Sequence, residues 1–303
     1  MVEGGLCPHS FYIITESSPY TDDDRQRDNT AYLLYPRGFR QMAKIVPLFS
    51  SSKGNSYYIQ GNGTAILVDA GRNLKQIELA LAANDLSMHN VGAIFVTHEH
   101  SDHISALKVL LKRYDIPLYA SRGTLRYLVS NDKVPPTARL NVIEDVIETD
   151  DFRVQRVETS HDAAEPCGYH ITTPDGRRLS IVTDTGYLTD DAKKAISRSH
   201  LAVVESNHDI DMLKNGMYPY ILKKRILSDC GHLSNEACAD ALPHFVGAGL
   251  TRIILGHLSE ENNTPHLALT GAIDSLNRAG MVLESDYLID VAPVATNGKS
   301  MLF

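Results

Sequence analysis

The stretch that decides the fold prediction is Val96-Thr97-His98-Glu99-His100-Ser101-Asp102-His103. An apolar run precedes it and a helical pattern follows, which predicts a loop between a strand and a helix. Alternate side chains of extended backbone point the same way, so His98 and His100 can bind one ion. Ser101 is expected to cap the following helix, with Asp102 and His103 in its first turn. Imidazole and carboxylate ligands without a thiolate suit Zn, Mn or Fe, so the loop predicts a metal site.

The composition is that of an ordinary globular protein. The chain has 303 residues, of which 43% are hydrophobic and 22% are charged, and its net charge of -8 argues against a broad basic surface for nucleic acid. The 4 cysteines form no CxxC pair, so neither a disulfide framework nor a thiolate zinc site is indicated. We expect a cytoplasmic protein without a membrane segment, because no signal-peptide pattern and no long apolar stretch is present.

The chain divides into a polar, acidic N-terminal stretch and a patterned remainder. We expect residues 1–41 to be an appendage of unknown role, with Met42 a plausible alternative start, and residues 42–303 to form the catalytic domain. Strand patterns lie at 44–49, 55–60, 64–69, 92–97, 117–120, 152–158, 168–173, 178–183, 200–205, 251–256 and 287–291. Helical patterns lie at 73–84, 102–113, 122–129, 189–197, 234–245 and 265–279. Their alternation predicts an α/β (α+β) architecture of two sheets covered by helices rather than an antiparallel sandwich.

The histidine-rich stretch resembles the signature of the metallo-β-lactamase fold, and four more segments match in that family's order. They are Asp69-Ala70-Gly71, Ser160-His161-Asp162, Thr183-Asp184-Thr185-Gly186 and Leu255-Gly256-His257-Leu258. The resemblance implies a four-layer αβ/βα sandwich with a dinuclear metal centre. It implies that one ion is bound by His98, His100 and His161. It implies that a second ion is bound by Asp102, His103 and His257, that Asp184 bridges both ions, and that Asp69 orients a ligand imidazole.

Segments outside these ligands resemble one group of the family, the YycJ/WalJ-type bacterial proteins. That group is associated with 5′-to-3′ DNA exonuclease activity and is related to RNA-processing nucleases of the fold. The matching segments are 49–56, 203–209, 218–225, 228–235 and 258–265. The resemblance therefore implies a metal-dependent hydrolase, most specifically an exodeoxyribonuclease with a DNA substrate.

The residues themselves also favour a phosphodiester substrate. The loop 50–56 is rich in small side chains and exposes backbone N–H groups, as anion-binding loops do. Ser234 is expected to cap a helix whose N-terminal N–H groups would face a phosphate near His232. The run Lys223-Lys224-Arg225 adds positive charge, although such a run is equally typical of an ordinary solvated surface.

The predicted reaction is an in-line displacement with two divalent ions, Zn or Mn, with Fe also compatible. The two ions lower the pKa of a bridging water, so that hydroxide attacks at neutral pH. Asp102 and His232 are the predicted catalytic residues, and His232 would donate a proton or hydrogen bond to an oxygen of the substrate. The predicted substrate-contacting or ligand-supporting residues are Asp69, Ser52, Asn55, Asn207, His208, Ser234 and Asn263.

Two other functions remain open on the sequence. A lactonase- or thioesterase-like hydrolase of small molecules would use the same metals, and the acidic net charge suits a small substrate. A metal-stabilised binding protein without activity is the second alternative. The complete ligand set argues against it, because a site that has lost its activity usually lacks a ligand.

Overall fold

Two seven-stranded sheets form from the apolar runs of the sequence. The computed structural model describes residues 43–149, 151–296 and 298–303, so the predicted appendage 1–41 lies outside the described residues. The strands are β1 (Lys44–Ser51), β2 (Gly54–Gly61), β3 (Thr64–Val68), β4 (Val91–Phe95), β5 (Leu118–Ala120), β6 (Leu140–Val142), β7 (Val146–Glu148), β8 (Arg153–Glu158), β9 (Cys167–Thr172), β10 (Arg178–Val182), β11 (Leu201–Glu205), β12 (Arg252–Gly256), β13 (Leu288–Val291) and β14 (Met301–Leu302).

Helices connect these strands and flank the sheets. They are α1 (Leu74–Ala82), α2 (Ser101–Ile104), α3 (Leu107–Arg113), α4 (Arg122–Ser130), α5 (Asp190–Ser197), α6 (Ile210–Asn215), α7 (Tyr220–Ile226), α8 (Asn235–Gly247) and α9 (Pro265–Arg278), with a 3₁₀ turn at Met88–Asn90. Within the described ranges, none of them is long and apolar enough to cross a bilayer.

Each sheet is antiparallel on one side and parallel on the other. The first sheet has the order β14-β1-β2-β3-β4-β5-β6, and the second has the order β13-β12-β11-β10-β9-β8-β7. Strands β3 to β6 run parallel, as do β10 to β13. Parallel neighbours place their carboxyl ends at one edge, so the loops that follow them lie close together.

The alternation of side chains along the strands builds four layers. On β2, Tyr57 and Ile59 belong to an apolar cluster shared with the second sheet, whereas Tyr58 belongs to a cluster with α1 and α3. On β11, Val203 points into the shared cluster, and Val204 packs with residues of α5, α8 and α9. Period-two patterning thus gives every sheet two buried faces, and the predicted helix–sheet–sheet–helix sandwich is confirmed.

Some predicted elements were wrong in detail. The predicted helix 102–113 is two helices, α2 and α3, separated at Ser105 and Ala106. Ser101 is the first residue of α2 rather than its cap; His100 occupies the cap position without a side-chain hydrogen bond. Strands β6, β7 and β14 and helices α6 and α7 were not predicted. They have seven residues or fewer, too short for a periodic pattern.

Candidate metal centre

Three imidazoles meet at the carboxyl ends of β4 and β8. The Nδ1 atom of His100 lies 3.1 Å from Nε2 of His98 and 3.2 Å from Nε2 of His161. Around an ion with metal–nitrogen distances of about 2.0–2.1 Å, a tetrahedral arrangement places neighbouring ligand atoms about 3.3 Å apart. The three ring nitrogens therefore fit one face of a tetrahedral ion site, and they belong to the three residues that the resemblance assigned to one ion.

A second ligand group adjoins the first. Oδ2 of Asp102 lies 3.4 Å from Nε2 of His103 and 3.6 Å from Nε2 of His257. Oδ2 of Asp184 lies 3.4 Å from Nε2 of His103, and its Oδ1 lies 3.9 Å from Nε2 of His161. Oδ2 of Asp184 and Nε2 of His257 are buried and have no hydrogen-bond partner in the described residues. Because burying unpaired polar atoms is costly, these atoms fit a divalent ion as their partner.

In most of the candidate ligand imidazoles, one ring nitrogen contacts a protein group. In four of these histidines the Nδ1 atom has a partner in the protein, which leaves Nε2 available to an ion. The contacts are His98 with Oγ1 of Thr97 (3.1 Å), His103 with Asp69 (2.8 Å), His161 with the carbonyl of Gly231 (3.0 Å) and His257 with Glu205 (2.8 Å). The predicted contact between Asp69 and a ligand imidazole is therefore present in the geometry.

Backbone geometry at three strand ends presents these side chains. Asp69, Asp184 and His257 have φ values of 61, 55 and 55°, the left-handed region that non-glycine residues rarely adopt. Each follows a buried strand, where a left-handed residue turns the chain sharply and directs its own side chain inwards. Such strain is held by surrounding contacts and concentrates at functional sites. At His257 one such contact is the bond from its N–H to Oγ of Ser50 (2.8 Å).

The two ligand groups differ in their electrostatics. Burial holds the pKa of His98 well below its usual value. Burial also lowers the pKa of His103 and His257, but the carboxylates of Asp184 and Asp102 outweigh burial. The pKa of His103 is therefore raised well above its usual value, and that of His257 is raised to about 10. Burial raises the pKa of Asp102, but His103 and His257 outweigh burial, so that this pKa lies below its usual value. Without ions the second group therefore holds protons, and an ion must displace them, so its affinity rises with pH.

A sixth histidine and a buried carboxylate complete the centre. Nδ1 of His232 lies 2.8 Å from Oε1 of Glu205 and 3.8 Å from Oδ1 of Asp184. The same Oε1 atom accepts from Nδ1 of His257 at 2.8 Å, while Oε2 accepts the backbone N–H groups of Thr185 and Leu233. Glu205 is fully buried, whereas the side chain of His232 is 13% exposed. The ring of His232 is thereby fixed through Nδ1 beside the candidate ligand groups, and part of its side chain is exposed.

Sequence and structure comparisons assign the family. Residues 52–222 match the profile of the metallo-beta-lactamase superfamily. The chain belongs to this superfamily. Exodeoxyribonuclease YycJ of Bacillus anthracis is 39% identical over 237 residues, which cover 77% of this chain and 89% of that protein. Exodeoxyribonuclease WalJ of Streptococcus pneumoniae (strain D39) is 36% identical over 251 residues, which cover 81% of this chain and 93% of that protein.

The solved structures agree on the fold. The crystal structure of YhfI, a metallo-beta-lactamase fold protein from Bacillus subtilis, has a TM-score of 0.63 at 15% identity. The match covers 86% of this chain and 99% of YhfI. At this identity it shows the fold alone. The predicted resemblance to the metallo-β-lactamase superfamily and to its YycJ/WalJ-type group is confirmed, and the chain is a metal-dependent hydrolase.

Three of the other predicted supporting residues make hydrogen bonds that fit their expected roles. Asn55 reaches the centre, since its Nδ2 donates to Oδ2 of Asp102 at 3.2 Å and lies 3.1 Å from Nε2 of His103. Asn207 fixes the backbone at His257, because its Nδ2 donates to the carbonyl of His257 at 2.8 Å. Ser234 caps α8 as predicted, accepting from the N–H of Ala237.

Three predicted residues lie apart from the ligand atoms. Ser52 is exposed in the turn between β1 and β2 and makes no hydrogen bond to the described residues, because the strand alternation points Ser51 and Asn55 inwards instead. Asn263 is buried, and its amide donates to the carbonyls of Ser206 and Asn207, which is a bracing contact. His208 is buried, and both of its ring nitrogens lack partners in the described residues.

Two residues at the candidate metal centre were not assigned from the sequence. They are Glu205, which joins His232 to His257, and Ser50, which fixes the backbone of His257. The sequence signal for Glu205 was its position, because it is the carboxylate that ends an otherwise apolar strand. Asp69 and Asp184 likewise lie just after the ends of apolar strands. A charged group that is completely buried there needs partners, which makes it a site candidate.

Proposed function

We propose that the chain is a metal-dependent 5′-to-3′ exodeoxyribonuclease with two divalent ions. One observation supports this most: a histidine held by a buried carboxylate lies beside both ligand groups in a chain 39% identical to a curated exodeoxyribonuclease. The first ion would be bound by His98, His100 and His161. The second would be bound by Asp102, His103 and His257, with Asp184 between the two.

When bound, two such ions activate water and neutralise charge on the phosphoryl oxygens. His232 is proposed to donate a proton from Nε2 to the leaving oxygen. Glu205 keeps Nδ1 of His232 protonated and the ring oriented, because its Oε1 accepts at 2.8 Å. A histidine with one nitrogen fixed in this way can give up a proton at the other nitrogen at a defined position.

Asp102 is proposed to act at the open side of the centre. Its side chain is 20% exposed, whereas that of Asp184 is 4% exposed, so substrate can approach Asp102 directly. Asn55 donates to Oδ2 of Asp102 and fixes the carboxylate. Asp102 would thus position the attacking water as well as bind an ion.

The test is a cleavage assay with end-labelled single-stranded DNA, duplex DNA, RNA and a panel of lactones, with Mn or Zn added in turn. The parent is expected to degrade DNA from the 5′ end. His232→Ala should keep both ions yet lower turnover by roughly two to four orders of magnitude, the scale for losing a general acid. His244→Ala is the matched control, because His244 is exposed on α8, and it should behave as the parent.

Two outcomes would refute the proposal. One is a parent enzyme that hydrolyses lactones but neither DNA nor RNA with any of the metals. The other is full DNA cleavage by a His232→Ala enzyme that still contains both ions by elemental analysis.

A further inference from the structure

The segment 214–225 displays an unusual set of exposed apolar side chains. Met217, Tyr220 and Ile221 are 98, 79 and 82% exposed, more than any other large hydrophobic residue that the structure describes. Next in exposure is Leu79, at 60%. Single exposed apolar residues are common, but three within five positions form a patch that marks an interaction surface.

The same segment is strongly cationic. Residues 214–225 include Lys214, Lys223, Lys224 and Arg225 and no aspartate or glutamate, in a chain whose net charge is -8. Arg225 pairs with Asp162, which lies outside the segment, so the three lysines supply the charge that complements a polyanion. A second copy of this chain, docked on the patch by a two-fold axis, would instead bring the same cations face to face. Charge complementarity therefore selects an anionic partner over a homodimer.

Hydrogen bonds hold the segment in place at the rim of the metal centre. Nζ of Lys223 donates to the carbonyls of Lys214 and Gly216, both at 2.7 Å, which closes the loop before α7. Arg225 forms a bidentate pair with Asp162, the residue after the ligand His161. The exposed side chains are thus presented by an anchored element.

The end of α7 also touches the proposed proton donor. The backbone N–H of His232 donates to the carbonyl of Ile226 at 3.0 Å. The side chain of Lys224 is exposed and makes no hydrogen bond or ion pair with the described residues, so its charge is available to a partner.

We propose that residues 214–225 bind single-stranded nucleic acid, a role that rests on the proposed exonuclease function. Unpaired bases would stack on Tyr220 and pack against Ile221 and Met217, while Lys224 contacts a phosphate. Stacking of this kind needs exposed base faces, which a duplex hides. The surface therefore selects single strands, or the frayed end of a duplex, over intact duplex.

The test measures affinity by fluorescence anisotropy with the metal-loaded protein. The probes are a labelled phosphorothioate oligo(dT) of 16 nucleotides and a blunt phosphorothioate duplex of the same length. Tyr220→Ala combined with Ile221→Ala should weaken single-strand binding by about 5- to 150-fold, the range for losing one stacked base. Duplex binding should change by much less, and Tyr220→Phe, which keeps the ring, should retain single-strand affinity.

Matched changes elsewhere control for general effects. Leu79→Ala and Lys75→Ser alter exposed residues of α1 and should leave both affinities at parent values. Lys224→Ser should make the dependence of log affinity on log salt shallower by about 0.7 for the single strand, the amount for one phosphate contact. Melting temperatures equal to that of the parent would show that each variant is folded.

Failure of this inference can be told apart from failure of the proposed function. If the parent cleaves DNA but the Tyr220 and Ile221 changes leave single-strand affinity intact, the surface proposal is wrong and the exonuclease proposal stands. If light scattering shows a parent dimer that these changes dissociate, with unchanged single-strand affinity, the patch is a homodimer interface and the proposal is overturned. A parent that neither binds nor cleaves DNA would refute the proposed function itself.

Discussion

Asp184 lies between the two proposed ligand groups, and its carboxylate approaches members of both. Oδ1 is 3.4 Å from Nδ1 of His257 and 3.9 Å from Nε2 of His161, and Oδ2 is 3.4 Å from Nε2 of His103. Its backbone adopts a left-handed conformation with a φ value of 55°, so the turn itself directs the carboxylate inwards. Because its two oxygens face both groups, loss of this side chain should affect both ions.

We therefore predict that Asp184→Ala binds neither ion tightly, whereas His100→Ala mainly loses one. The reason is that His100 contacts only the first ligand group, through Nδ1. Elemental analysis after dialysis, at equal protein concentration, gives the ion content of each variant. Asp240→Ala, which changes an exposed carboxylate on α8, should keep the parent content. Two ions retained in Asp184→Ala would contradict the bridging role.

The site was predictable at this scale where the signal was local. His98, His100, Asp102 and His103 fall within six positions, so the pattern alone places them together. Glu205 lies outside this cluster, because its partners His232 and His257 are 27 and 52 residues away. His257 follows β12, which pairs with β11, whereas His232 lies in the loop before α8. Ser52 was chosen for composition, which cannot tell the inward side of a hairpin from its exposed tip.

The break between α2 and α3 arises from a loop that packs against the first helical turn. The N–H of Ala106 donates to the carbonyl of Ala70 at 2.9 Å instead of continuing the helix. A Cβ atom at Gly71 would lie 1.6 Å from the carbonyl oxygen of Asp102 and 2.6 Å from the N atom of Asn55. Helical periodicity cannot reveal this contact, since it depends on a strand end that is distant in sequence. The glycine is needed so that the loop can approach Asp102, a proposed ligand.

We predict opposite effects of two Gly→Ala changes. Gly71→Ala should lower the free energy of unfolding by about 3 kcal/mol or more, because the added methyl overpacks backbone atoms that cannot move without displacing Asp102. Gly271→Ala, inside α9 with no atom within 4 Å of the added Cβ, should raise it by about 0.5–1 kcal/mol through helix propensity. Urea unfolding of both proteins checks the signs, and a neutral Gly71→Ala would disprove the packing argument.

For the whole molecule, the notable feature is that the proposed ligands come from both sheets. Residues 98–103 follow β4 in the first sheet, whereas His161, Asp184 and His257 follow β8, β10 and β12 in the second. The four-layer order was predictable, because it follows from strands with two apolar faces. The convergence of these four strand ends was predictable only through the resemblance, because no local pattern indicates which ends become neighbours. Ions bound at this centre would connect residues that follow strands of the two different sheets.

We predict that removing the ions lowers the melting temperature by roughly 10 °C or more. Each ion present at 100 times its Kd stabilises the folded state by about 2.7 kcal/mol, and 1 kcal/mol shifts the melting temperature of a domain of 150–250 residues by about 2–4 °C, so two ions together correspond to about 10–20 °C. Calorimetry of the chelated protein, and again after Zn or Mn is restored, measures the shift. Asp184→Ala should respond little to the chelator, since it has few ions to lose. A melting curve of the metal-loaded parent that does not move when a chelator is added would mean that these clustered side chains hold no ion that stabilises the fold, because an ion bound by residues of both sheets must be released when the sheets separate.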